Sequence, residues 1–145
     1  MQMPEKIDST LLAPCGLDCA VCSRHVHSKI PCPGCRARLS EPDVYRRKCI
    51  MRACTAEQGI EHCGQCKTAP CKRLKAFERR YFEGCGVSPL SEVRFAAQFG
   101  TEALLERHRQ IYACPDCGGV IDLHFGRCSA CGRQFPLGKG RNGSD

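Results

Sequence analysis

Fifteen cysteines in 145 residues constrain this chain more than any other feature. They fall into three blocks and one outlier. Cys15, Cys19, Cys22, Cys32 and Cys35 form the first block, and Cys49, Cys54, Cys63, Cys66 and Cys71 the second. Cys85 stands apart, and Cys114, Cys117, Cys128 and Cys131 form the third block. A chain with no Trp, 6 Phe and 3 Tyr has few large side chains to bury. Disulfides or structural metals are the usual supplements to such a core. The odd cysteine count argues against a disulfide framework. So does the opening "MQMPEKIDSTLLAPCG", which has neither the basic start nor the apolar run of a secretory signal. No segment is long and apolar enough to span a membrane. The expectation is a cytoplasmic, metal-stabilised protein.

The last block is the plainest. "CPDCGGVIDLHFGRCSACGRQF" reads C-x2-C-x10-C-x2-C. Each C-x2-C pair can turn two thiolates onto one ion, with Gly118 and Gly132 placed where a positive φ is wanted. The ten residues between suit a hairpin with Val120, Ile121, Leu123 and Phe125 as its apolar content. The predicted unit is a β zinc ribbon with Cys114, Cys117, Cys128 and Cys131 as ligands. Four thiolates also suit iron, as in a rubredoxin-like site. His124 reads as a half-exposed strand residue, and Asp116 and Asp122 as ribbon surface.

The first two blocks each offer five thiols for four positions. On an α-helix, Cys15, Cys19 and Cys22 would share one face within about 60°. Cys19, Cys22, Cys32 and Cys35 are the favoured ligands, because two C-x2-C pairs are the commonest way to build such a site. Cys15 is then a buried small hydrophobe or a ligand elsewhere. In the second block Cys63 and Cys66 are the surest pair, completed by Cys54 and Cys71, with Cys49 a close competitor. On one helix Cys49 and Cys54 would lie about 140° apart and could not both reach one ion without a break. His25 and His27 read as exposed, and His62 as a substitute ligand should one thiol drop out.

Several enzyme readings fail on missing parts. C-x3-C-x2-C suggests a radical enzyme, yet such a fold needs a cofactor-binding barrel of roughly 200 residues. "PCPGC" echoes a zinc-deaminase half-signature without the upstream H-x-E. No strand precedes C-P-G-C as a thioredoxin-like dithiol requires. HExxH, G-x-S-x-G, P-loop and dinucleotide fingerprints are absent. No catalytic residue is assigned; an enzyme is possible only through the metal sites, none of which shows an obvious vacancy, so the reading leans toward a binding module and leaves an enzyme open.

The formal charge of +7 overstates the basic character. Each four-thiolate zinc site carries −2, so three of them bring the total to about +1. Lys72, Arg73, Lys75, Arg79 and Arg80 read first as a solvated helix face. Base-stacking aromatics are scarce near the ribbon, which weakens a nucleic-acid partner.

Before residue 113 the pattern is mainly helical. Ser40 with "EPD" predicts a helix start and Gly59 its stop, around "DVYRRKCIMRACTAEQ". "APCKRLKAFERRYF" predicts a helix with Leu74, Phe77 and Tyr81 or Phe82 on one stripe. "SPLSEVRFAAQFG" has Ser88 as cap, Pro89 at the first position and Gly100 as terminator. "TEALLERHRQIY" restarts at Thr101 as cap, with Leu104, Leu105, His108, Ile111 and Tyr112 on a face. The fold class is small and metal-stabilised, mainly α with irregular Cys-rich loops, plus a C-terminal β zinc ribbon. The expected division is a Cys-rich metal-binding domain over 13–85, a helical linker or hairpin over 86–112, the ribbon over 113–137 and a disordered tail over 138–145.

"CGLDCAVC", "CPGCR", the C-x4-C pair, "EHCGQC" and "APC", followed by a helical stretch and a closing ribbon, resemble the cysteine-rich prokaryotic domain-of-unknown-function family 3795. The resemblance runs from about Ala13 to Phe135. It implies a prokaryotic, cytoplasmic metal-binding protein and brings no reaction with it. Cys85 lies outside its pattern. The expected function is a zinc-binding structural or adaptor module with about three four-cysteine sites and a protein partner. An iron–sulfur or thiol redox protein is the first alternative, and a nucleic-acid-binding zinc-ribbon protein the second.

Overall fold

The computed structural model describes residues 1–39 and 44–137. The predicted helix start at Ser40 and the predicted tail over 138–145 lie outside the described residues.

Short helices in the first half give way to longer ones in the second. In chain order they are α1 (Ser23–Val26), α2 (Val44–Arg47), α3 (Ile50–Gln58), α4 (Lys72–Cys85), α5 (Pro89–Phe99) and α6 (Thr101–Ile111). Among the described residues, three 3-10 turns, Ser9–Leu11, Cys19–Val21 and Cys63–Gln65, accompany them. The single helix expected across residues 43–58 is two, separated at Lys48 and Cys49. Cys49 takes an extended conformation and caps α3, and Gly59 closes α3 at φ 69°. The region of Cys15 to Cys22 is not one helix either. Asp18 caps the Cys19–Val21 turn by accepting from the Ala20 amide, and Cys22 is extended at ψ 137°. A short polar side chain that satisfies a nearby amide competes with helix propagation, and here it outweighs the i, i+4, i+7 spacing.

The longer helices follow their sequence signals closely. Ser88 accepts from the Ser91 amide at the start of α5, with Pro89 next to it. On α4, Leu74 is buried and Phe77 and Tyr81 are half-buried, while Phe82 faces outward, so the stripe resolves to Tyr81. Thr101 is already helical, and Gly100 rather than Thr101 occupies the cap of α6.

Leu104 and Leu105 of α6 and Ala96 of α5 pack with Ile7, Leu12 and Ala20 in one core cluster. A second cluster joins Val21, Val26 and Val87 to Tyr112, Val120 and Leu123. The C-terminal segment is therefore anchored on the N-terminal half. Its pairing consists of isolated antiparallel bridges, Ala113 with Val120, Ile121 with Cys128 and Arg127 with Gln134. No named strand occurs among the described residues. Residues 1–3 join this segment: Met3 N donates to Gly118 O at 2.9 Å and Val120 N to Met1 O at 3.1 Å. Of the apolar hairpin residues, Val120, Ile121 and Leu123 are buried, but Phe125 is 63% exposed. Asp122, expected at the surface, is fully buried. It accepts from the Phe125 and Arg127 amides, and His27 Nε2 lies 2.8 Å from it.

Candidate metal centre

The C-terminal cysteines converge. Cys114 and Cys131 sulfurs are 3.8 Å apart and those of Cys117 and Cys128 are 3.5 Å apart. All four ligand atoms lie within 4.8 Å of one another. A tetrahedral ion bound at about 2.3 Å to each thiolate sets its sulfurs roughly 3.8 Å apart, so these four can hold a metal ion. Gly118 and Gly132 follow the two pairs at φ 74° and 77°, in the left-handed region where glycine carries no Cβ penalty. Gly119 has a different reason. A Cβ there would stand 2.7 Å from Cys128 Sγ and 2.7 Å from Ala130 Cβ. Backbone donors face the sulfurs, including Ala130 N to Cys128 Sγ at 3.4 Å. Burial opposes ionisation of Cys128. The Cys131 and Ala130 amides, with the Cys117 and Cys131 thiols, outweigh it and bring that thiol down to about 6. Thiolate, the form that binds metal, is thus favoured at Cys128, while its neighbours Cys117 and Cys131 are pushed up.

The first block is looser. Cys35 N donates to Cys19 Sγ at 3.3 Å. The Cys19 thiol, with help from the Arg46, Arg52 and Arg24 guanidinium groups, lowers the Cys35 thiol to about 7 against the effect of burial. Arg46 is buried and clamps the loop that carries Cys35. Its Nη1 donates to Gly34 O at 2.6 Å and Ala37 O at 2.9 Å, and its Nη2 to Arg38 O at 3.2 Å. Arg52 donates to Cys35 O. Cys32 is tied to α1 through its amide on Arg24 O at 3.2 Å and its carbonyl 2.7 Å from His25 Nδ1. Among the described residues, the C-terminal four form the one group whose ligand atoms converge within 4.8 Å. Cys19, Cys22, Cys32 and Cys35 are neighbours that do not contract to such a point.

In the second block Cys54, Cys63, Cys66 and Cys71 line one cavity of about 240 Å³ between α3, the Cys63–Gln65 turn and α4. Burial pushes the Cys63 thiol up to about 11, reinforced by Cys71, Cys54 and Cys66 nearby. The break at Cys49 removes the angular objection to this thiol, but Cys49 does not line the cavity. His62 is buried, and its Nδ1 accepts from Gly64 N at 3.1 Å. Cys15 is buried with Ala13 and Cys19 against Cys35, Met51 and Phe77. Burial raises its thiol, with smaller contributions from Cys35, Cys49 and Cys63, so it sits between the two blocks. Cys85 packs beside the Val21, Val87 and Leu123 cluster as a small hydrophobe.

His124 is half-buried in a turn rather than a strand, and its Nδ1 accepts from Ser23 N at 3.3 Å. The imidazole of His27 is 22% exposed against Asp122. One buried polar site had no forecast: His108 between Asp18 and Glu92. Its only sequence signal was a histidine on an otherwise apolar helix face.

Residues 11–76, a little under half of the chain, match the family described as "Protein of unknown function (DUF3795)". The matched segment holds both five-cysteine blocks and ends inside α4, so the converged C-terminal group lies beyond it. No curated protein and no solved structure matches the chain. Among the described residues, no helix is long and apolar enough to cross a membrane.

Proposed function

We propose, for a chain whose residues 11–76 match a family of unknown function, that it is a zinc-binding structural or adaptor module. The observation that carries this is the convergence of Cys114, Cys117, Cys128 and Cys131 within 4.8 Å. Sulfur separations near those of a tetrahedral thiolate site, Gly119 giving the sulfurs room, and backbone donors around them suit zinc held as in a ribbon. Four protein ligands leave no open position for a substrate, which favours a role in holding a surface for a protein partner. Cys19, Cys22, Cys32 and Cys35 offer four thiols to a second site, and Cys54, Cys63, Cys66 and Cys71 to a third.

The test is metal analysis of the purified full chain and of its Cys114→Ser/Cys117→Ser variant. One tightly held zinc lost from the variant, with the remaining metal retained, supports the reading. Equal zinc content in the two proteins would sink it.

A further inference from the structure

The second cysteine block surrounds a volume, where the C-terminal group contracts to a point. Cys54 comes from α3, Cys63 opens the 3-10 turn and Cys66 follows it, and Cys71 caps α4. Their cavity of about 240 Å³ has Ile50, Met51 and Leu74 in its apolar wall. No three of these sulfurs share the 4.8 Å convergence seen at the C-terminus. A lone tetrahedral ion requires that convergence, because all four sulfurs touch one atom. A sulfide-bridged cubane does not, since each thiolate binds its own iron on the outside of a core with finite volume.

The surroundings suit such a core. Gln58 Nε2 donates to Cys54 Sγ at 3.1 Å, and the Thr68 hydroxyl lies 3.2 Å from Cys66 Sγ. Hydrogen bonds to cluster sulfurs are one of the means by which a protein tunes such a site. Lys72 and Arg73, in the first turn of α4, also line the cavity. Their charge offsets the net negative charge of a four-thiolate cluster.

We infer that Cys54, Cys63, Cys66 and Cys71 hold a four-iron, four-sulfide cluster. This rests on the thiolate-metal reading above and replaces a lone ion by a cluster at this block only. Loading requires no external oxidant when iron is supplied in both valences. Two ferrous ions, two ferric ions and four sulfides combine with four thiolates to give a cluster of net charge −2, and the four thiols release four protons.

The experiment is reconstitution of the full chain without oxygen, using equal ferrous and ferric iron with sulfide, followed by iron and acid-labile sulfide counts and a visible spectrum. About four of each per chain and a broad sulfur-to-iron band are expected. Cys66→Ala/Cys71→Ser should lower bound iron at least fourfold; serine at a helix cap preserves α4. Cys22→Ser/Cys32→Ser and Cys114→Ser/Cys117→Ser should keep it. Two or fewer irons per wild-type chain overturn the inference, as does a cluster retained in Cys66→Ala/Cys71→Ser. If Cys66→Ala/Cys71→Ser does not fold, a wild-type count of two or fewer irons still overturns the inference, as does loss of the cluster in a folded Cys22→Ser/Cys32→Ser. Failure here leaves the C-terminal zinc site standing, because that site is read separately from the zinc lost by Cys114→Ser/Cys117→Ser.

Discussion

His108 on α6 bridges Asp18, ninety residues earlier in the chain, and Glu92 on α5. Its Nδ1 is 3.0 Å from Asp18 Oδ2 and its Nε2 is 2.7 Å from Glu92 Oε2. With a carboxylate at each nitrogen the ring is held as imidazolium, although only 4% of the residue is exposed. Burial opposes the charge, and the two carboxylates outweigh it, raising the pKa from 6.5 to about 9. Asp18 also caps the turn that carries Cys19, so one ring ties the helical hairpin to the first cysteine block.

A raised folded pKa gives stability that is complete below the unfolded value near 6.5 and lost as pH climbs through about 9. The contribution is on the order of 3 kcal/mol. Thermal unfolding of metal-saturated protein should show Tm falling between pH 6.5 and 9. His108→Gln should be less stable at pH 6 by about 3 kcal/mol, because the buried Asp18 and the half-buried Glu92 carboxylates lose their cation. It should also lose that pH dependence. An unchanged slope in the variant would refute the assignment.

Gly119→Ala should weaken the C-terminal metal site, since its new methyl would collide with Cys128 Sγ and Ala130 Cβ at 2.7 Å. Competition against a chromophoric chelator should show at least a tenfold loss of affinity. Gly84→Ala on α4 is the control. Nothing lies within 4 Å of its added carbon, and the helix should gain up to about 1 kcal/mol. Equal affinities in the two variants would count against the steric argument.

Arg46→Met keeps the aliphatic stem and removes the guanidinium that donates to Gly34, Ala37 and Arg38 carbonyls. Losing three charge-assisted bonds, of which the one to Gly34 O is buried, should cost about 2–4 kcal/mol in denaturant unfolding. A change under about 0.5 kcal/mol, the range of an ordinary surface substitution, would show that the clamp is idle.

Asp122→Ala removes the acceptor for the Phe125 and Arg127 amides and the partner of His27. The expected result is faster hydrogen exchange at those two amides and at Leu123 N, which donates to Val21 O at 2.9 Å. Exchange confined to the two amides would mean that the C-terminal segment stays docked without His27.

Local signals were legible where one residue type decides the outcome. Ser88 with Pro89 begins α5, Gly59 ends α3, and the C-x2-C pairs set the converged thiols. Spacing failed where a neighbour's side chain competed with it, as Asp18 does for the stretch from Cys15 to Cys22. Burial of Asp122 and the ion pairing of His108 were hidden because each depends on a partner roughly ninety residues away in the chain. A ladder of strands was expected around the third block, and isolated bridges stand there instead. The five-thiol surplus was legible as ambiguity, and the break at Cys49 and the cavity wall at Cys54 required three dimensions.

Residues 1–3 lie against residues 118–129, with the Met1 carbonyl taking both the Val120 amide and the Ser129 hydroxyl at 3.1 Å. Contacts so distant in sequence close last, after the entropy of the intervening loop has been overcome. During synthesis, residues 1–3 wait unpaired until residues 118–129 have emerged. The thiols of the first two blocks therefore leave the ribosome before the segment against which residues 1–3 close has been made.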